Sequence, residues 1–149
     1  MIKKIKGFFG EKETVKMPRS RRTLSCVSCG LYEFCRSSKM KPFGDFGKKI
    51  LVCGEGPGET EDNYNKPWQG KVGQLLQRAF KDLGFSLFDD CISTNSVNCR
   101  PMNANGNNRP PELHEIECCR SRVLKAIFDN KPKLILLLGN SAIQSVIGY

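Results

Sequence analysis

The chain has 149 residues, 26% of them charged and 39% hydrophobic, which suits one soluble globular domain with a real core. No apolar run approaches membrane-spanning length and no signal-peptide core opens the chain, so neither a membrane protein nor a secreted one is expected. Lys and Arg outnumber Asp and Glu 24 to 15, a formal charge of +9 that favours a polyanionic partner, nucleic acid before an anionic membrane.

Residues 1–24 form a basic leader, with Lys3, Lys4, Lys6, Lys12, Lys16, Arg19, Arg21 and Arg22 against Glu11 and Glu13. Such a segment reads as a flexible, phosphate-attracting arm or as a tail with no role. A cysteine-rich loop follows, from Cys26 to Cys35. Lys49 to Cys53 then reads as a buried strand, ended by the turn Gly54-Glu55-Gly56-Pro57-Gly58. A polar loop leads to Gly70. Val72, Leu75, Leu76, Ala79, Phe80 and Leu83 recur at helical spacing, with Gly84 as a stop. Cys91 to Val97 reads as a second strand and Arg100 to Pro111 as a long loop. A helix opening at Pro111 carries Leu113, Ile116, Val123, Leu124, Ile127 and Phe128 on its apolar side. Lys133 to Leu138 is a third strand, and Gly139-Asn140-Ser141 caps a last short helix.

Strands alternate with helices, and the first and third are continuously apolar. Both features predict an α/β fold with a parallel sheet covered on both faces. Ligands of such sheets bind beyond the carboxyl ends of the strands. The glycine turn and the Asn95 region both fall at that edge.

Three glycines in GEGPG let the backbone approach a ligand closely. A dinucleotide fingerprint would need G-x-G-x-x-G running straight into a helix. Here Pro57 interrupts and a polar loop intervenes, so a plain tight turn is the stronger alternative. Eight cysteines in a reducing compartment point to a metal or cluster site rather than disulfides. Cys26 and Cys29 form a C-x-x-C pair, open on its own to zinc, redox or cluster chemistry. The remaining candidates are Cys99 and either Cys118 or Cys119. Cys119 shares the apolar face with Ile116 and Val123, whereas Cys118 shares a face with His114, Glu115, Arg122 and Lys125. A buried cluster would therefore use Cys119. Cys53 suits the core, Cys91 is ambiguous, Cys35 is a possible substitute ligand, and His114 suits a solvated side chain.

The C-x-x-C pair, GEGPGETED, KPWQGKVGQLL, TNSVNCRP, NRPPELHEIECCR and KPKLILLLGNSA, in that order, resemble the family 4 uracil-DNA glycosylases from about Cys26 onward. The resemblance implies a three-layer α/β/α fold over residues 25–149. It implies a 4Fe-4S cluster on Cys26, Cys29, Cys99 and Cys119, and a uracil pocket lined by Gly54, Gly56, Pro57 and Gly58. Glu55 would be the catalytic carboxylate, Asn95 would read the uracil edge, and Trp68 would stack on the flipped base where the family has Phe. The expected activity is removal of uracil from single- or double-stranded DNA by a monomeric, cytoplasmic, prokaryotic or phage-encoded protein. A non-catalytic, cluster-bearing DNA-binding relative is the alternative, and a zinc-bearing structural domain a more distant one. The Arg100–Pro111 loop is longer than the family's. The family's later histidine segment, fourth strand and intercalating loop have no counterpart in the 149 residues, so the expectation is a fragment or degenerate relative with a missing last strand and little activity.

Overall fold

The computed structural model describes residues 24–148. The basic leader expected over residues 1–24 lies, Leu24 apart, outside the described residues. The elements are α1 (Cys26–Cys29), β1 (Ile50–Gly54), α2 (Glu59–Tyr64), α3 (Lys71–Asp82), β2 (Cys91–Asn95), α4 (Leu113–Asn130), β3 (Leu134–Leu137) and α5 (Asn140–Val146), with a 3-10 turn at Leu31–Glu33.

The three strands form one sheet in the order β2-β1-β3. Both pairings are parallel, as the alternation of strands and helices predicts. Side chains on successive strand residues point to opposite faces. Leu51, Cys53 and Ile92 therefore face Val123 and Ala126 of α4 and Ala142 of α5. Val52 and Cys91 face the other way, against Leu87 and against Leu76 and Phe80 of α3. This is the three-layer arrangement. No described helix is long and apolar enough to cross a membrane.

Among the described residues β3 pairs with β1 alone and forms a sheet edge, with Leu134 58% exposed, while Ile135 and Leu137 pack on one face and Leu136 on the other. One expectation is corrected. On α3 only Leu76 and Phe80 of the apolar stripe pack on the sheet, while Val72, Leu75 and Leu83 are exposed. The face turned inward there includes Gly73, whose missing side chain lets the helix sit directly on the Trp68 backbone.

α4 starts where the Glu115 carboxylate accepts the Glu112 N–H at 2.7 Å, a first-turn cap just after Pro110 and Pro111. It ends at Asn130, before a left-handed Lys131 and Pro132. The segments read as loops before β1 and after the glycine turn each contain a short helix, α1 and α2.

Candidate functional site

The site is built at the carboxyl ends of β1 and β2. Gly54 lies opposite Asn95 at the end of their ladder. Beyond it, the Ser96 N–H donates to the Gly54 carbonyl at 2.8 Å and the Val97 N–H to the Glu55 carbonyl at 3.2 Å. The Ser96 hydroxyl also donates to the Glu55 carbonyl. The glycine turn is thereby held against the end of β2.

A Cβ on Gly54 would stand 2.7 Å from the Asn95 carboxamide oxygen and 2.7 Å from Cη2 of Trp68. Asn95 and the Trp68 indole thus flank the same stretch of backbone. Gly56 is equally confined, with Val97 Cγ2 2.9 Å from its would-be Cβ, and Pro57 is buried. Asn95 is only 6% exposed, whereas the Glu55 side chain is exposed to solvent. The Ser141 hydroxyl, just inside α5, lies 3.5 Å from Glu55 Oε2 and can donate to it.

Trp68 is held under strain. Its φ is +61°, a left-handed value unusual for a bulky residue. The Gln77 amide donates to the Trp68 carbonyl at 2.7 Å, and Gly73 allows α3 to close on that backbone. Strain of this kind persists where the surroundings over-determine it, commonly at ligand sites. The indole Nε1–H is buried without a hydrogen-bond partner.

Glu61 joins the two loops. One carboxylate oxygen accepts the Gly58 N–H at 3.1 Å and the other accepts the Gly70 N–H at 2.7 Å. The glycine turn and the Trp68 loop are thus tied to one side chain. Sequence reasoning missed Glu61, Gln77 and Ser141. The available signal was the G-x-x-E spacing of Gly58 and Glu61, a helix-capping pattern.

The cysteines gather on the flank of β2, around Leu31, Val97 and Ile116. Cys99 and Cys119 belong to that buried cluster, and Cys29 and Cys35 pack against it. The Lys39 N–H donates to Cys99 Sγ at 3.2 Å. Burial pushes the Cys29, Cys99 and Cys119 thiols up to about 11, and neighbouring thiols, Cys26 among them, push in the same direction. Cys35 and Cys118 share this neighbourhood with Cys26, Cys29, Cys99 and Cys119. Cys53 and Cys91 lie in the core, away from it.

The expected contrast between Cys118 and Cys119 is corrected in part. Cys118 is 2% exposed and Cys119 4%, so burial does not separate them. The Cys118 side of α4 is covered too, because Glu115 on that side is buried by its ion pair with Arg109, at 2.6 Å. What separates the two thiols is company: only Cys119 joins Cys99 in the apolar cluster. His114 is half-exposed, as expected, with Nε2 3.4 Å from the Ser28 carbonyl.

Among the described residues no three His, Cys, Asp or Glu side chains are close enough to enclose a single metal ion. A cluster of four irons and four sulfides is larger than one ion and needs its thiolates set further apart. All-sulfur donors in apolar surroundings are the set that such clusters take. Thiolates of this kind are ligands for iron–sulfur clusters and for zinc alike.

The chain is 36% identical to the Type-4 uracil-DNA glycosylase of Pyrobaculum aerophilum over 115 residues, 77% of this chain and 56% of that protein. It is 38% identical to the Type-4 enzyme of Saccharolobus solfataricus, covering 76% of this chain and 50% of that one. It is 33% identical to that of Thermotoga maritima, covering 84% and 62%. The chain therefore spans between half and two thirds of the length of these curated relatives. A family model, that of the uracil DNA glycosylase superfamily, matches residues 41–149, which include the glycine turn, Trp68, Asn95 and two of the four clustered cysteines. The chain belongs to the uracil DNA glycosylase superfamily.

Proposed function

We propose that this chain acts in DNA repair as a uracil-DNA glycosylase, hydrolysing the N-glycosidic bond of uracil flipped out of the strand. The observation that carries the reading is the convergence of Asn95 and Trp68 on Gly54 at the carboxyl edge of the sheet. A base inside a duplex is unreachable, so it must be extruded into a pocket. The Trp68 indole offers a stacking surface worth roughly 1–3 kcal/mol. The Asn95 amide carries one acceptor and one donor group, which match uracil N3–H and O4. Cytosine reverses both, leaving buried polar groups unpaired, and a polar pocket rejects such a base strongly. Bond cleavage gives an oxocarbenium-like sugar and a uracil anion. Glu55, exposed and with Ser141 beside it, would orient water or balance the positive sugar.

Cys26, Cys29, Cys99 and Cys119 would hold a 4Fe-4S cluster. When bound, it supplies a cross-link between α1, the end of β2 and α4, the frame on which Asn95 and the glycine turn rest. The partner is uracil-bearing DNA, approached through the chain's positive charge, and the acting form is a cytoplasmic monomer.

The test is a base-release assay with anaerobically purified protein on oligonucleotides carrying uracil, cytosine or thymine. Release of uracil alone supports the reading. Uracil-selective binding without release would leave recognition standing and remove hydrolysis. Equal handling of uracil and cytosine would remove both.

A further inference from the structure

Between the Gly30–Phe34 turn and the segment after β2 lies a depression of about 560 Å³. That segment is a built hairpin. Met102 and Asn108 pair antiparallel, the Asn103 N–H donates to the Asn107 carbonyl at 2.9 Å, and Gly106 takes a left-handed turn at φ +77°. Arg100, itself buried, pins the hairpin from beneath, donating to Asn108 Oδ1 at 2.6 Å and to the Gly106 carbonyl at 3.0 Å.

The hairpin adjoins the candidate base pocket. The would-be Cβ of Gly58 lies 3.3 Å from the Asn108 amide nitrogen, and that of Gly56 lies 3.4 Å from Pro101. The same hairpin carries Met102, Asn103 and Gly106, which line the groove. Its walls include Cys29, one of the proposed cluster ligands, with Leu31, Met102, Arg100 and Arg109, and Phe34, 74% exposed, stands on its rim. One carboxylate, Glu115, lines it, but Arg109 grips that group at 2.6 and 2.9 Å. Exposed Glu59 is 3.6 Å from Arg100. Both guanidiniums are already engaged by carboxylates, Arg100 by Glu59 and Arg109 by Glu115 with Glu112 nearby, so recognition here rests on stacking rather than on phosphate charge. The volume is that of a small-ligand site.

We propose that this groove holds one unpaired DNA nucleotide next to the one whose base enters the Gly54–Asn95 pocket, with Phe34 stacking on its base. The proposal rests on the DNA-acting reading above and adds a second nucleotide subsite to it. Stacking of this kind is tolerant of sequence, so the subsite contributes affinity for single strands whether or not they contain uracil.

The experiment is fluorescence anisotropy of the cluster-loaded chain on a uracil-free thymidine oligomer, with uracil release from a uracil oligomer measured in parallel. Phe34→Ala should weaken binding roughly tenfold, the scale of one lost base stack, and Phe34→Trp should restore it. Affinity unchanged within about twofold in Phe34→Ala, or equal loss in Phe34→Trp, would overturn the subsite, as would a wild-type chain that does not bind the uracil-free strand. If Phe34→Ala weakens binding but no protein releases uracil, the subsite stands and the glycosylase reading falls. If uracil is released while Phe34→Ala binds normally, the reverse holds.

Discussion

Gly54 faces Asn95 across the end of the parallel ladder, and the Asn95 carboxamide oxygen stands 2.7 Å from the place a Cβ at position 54 would occupy. Glycine is required there by space, since the backbone φ is not in the left-handed range. Gly54→Ala should push Asn95 and Trp68 apart, costing about 1–3 kcal/mol, the scale of overpacking in a tight interior. Trp68 is the chain's single tryptophan, so its emission reports on the pocket directly. Uracil-bearing DNA should quench it in the wild type and leave it unchanged in Gly54→Ala.

Glu61 should matter more than its place in a polar stretch suggests. Glu61→Ala removes acceptors from the Gly58 and Gly70 N–H groups together. Hydrogen bonds to a charged group contribute about 1.5–3 kcal/mol each. We expect a loss of at least about 2 kcal/mol by urea denaturation, with faster proteolysis between α2 and α3. Unchanged stability and proteolysis would show that the two loops do not depend on the bridge.

Iron retention separates the adjacent thiols. Cys119→Ser should lose iron on anaerobic purification and Cys118→Ser should keep it, because Cys119 is the one that shares the apolar cluster with Cys99. Iron near four per chain is expected for a four-thiolate cluster. The reverse pattern would assign the fourth ligand to Cys118, and stoichiometric zinc without iron would dismiss the cluster.

The Arg109–Glu115 pair gives a pH-dependent term. Burial alone would raise the Glu115 carboxyl, but the Arg109 guanidinium and the Glu112 N–H hold it below the ordinary carboxylate value of 4.5. A depressed carboxylate adds stability that is fully present above its unfolded pKa and is lost as pH falls through the folded one. Arg109→Ala strands a buried charge and should cost about 3 kcal/mol at neutral pH. By urea midpoints, its deficit against wild type should shrink at about pH 4, where the stranded carboxyl takes up a proton. A deficit that stays constant between the two pH values would contradict the ion-pair account.

β1 and β3 were legible because uninterrupted apolar runs between glycine and asparagine turns have few other structural uses, and the alternation of strands with helices carried the parallel pairing and the edge where Glu55 and Asn95 lie. The helix α2 was not: Glu59–Tyr64 has no apolar periodicity and is held by contacts such as Asp62, which accepts the Arg36 and Ser37 N–H groups at 3.0 and 2.7 Å. Periodicity misjudged Cys118 for the same reason. Burial on α4 depends on α1 and on the Arg109–Glu115 pair, neither of which the helix's own pattern contains. Val72, Leu75 and Leu83 obey helical spacing yet stay exposed, because Gly73 turns a different face toward Trp68. Glu61, which joins two loops through their backbone N–H groups, leaves only the faint trace of a capping spacing.

The most direct test of the central claim is the initial rate of uracil release from single-stranded uracil DNA by the cluster-loaded chain, compared with Asn95→Ala. The proposed function predicts release from uracil DNA, slow or fast, that falls roughly 10²–10³-fold in Asn95→Ala, the scale of losing one preorganised polar contact. Absence of uracil release above the protein-free rate, or release indifferent to Asn95→Ala, would contradict it.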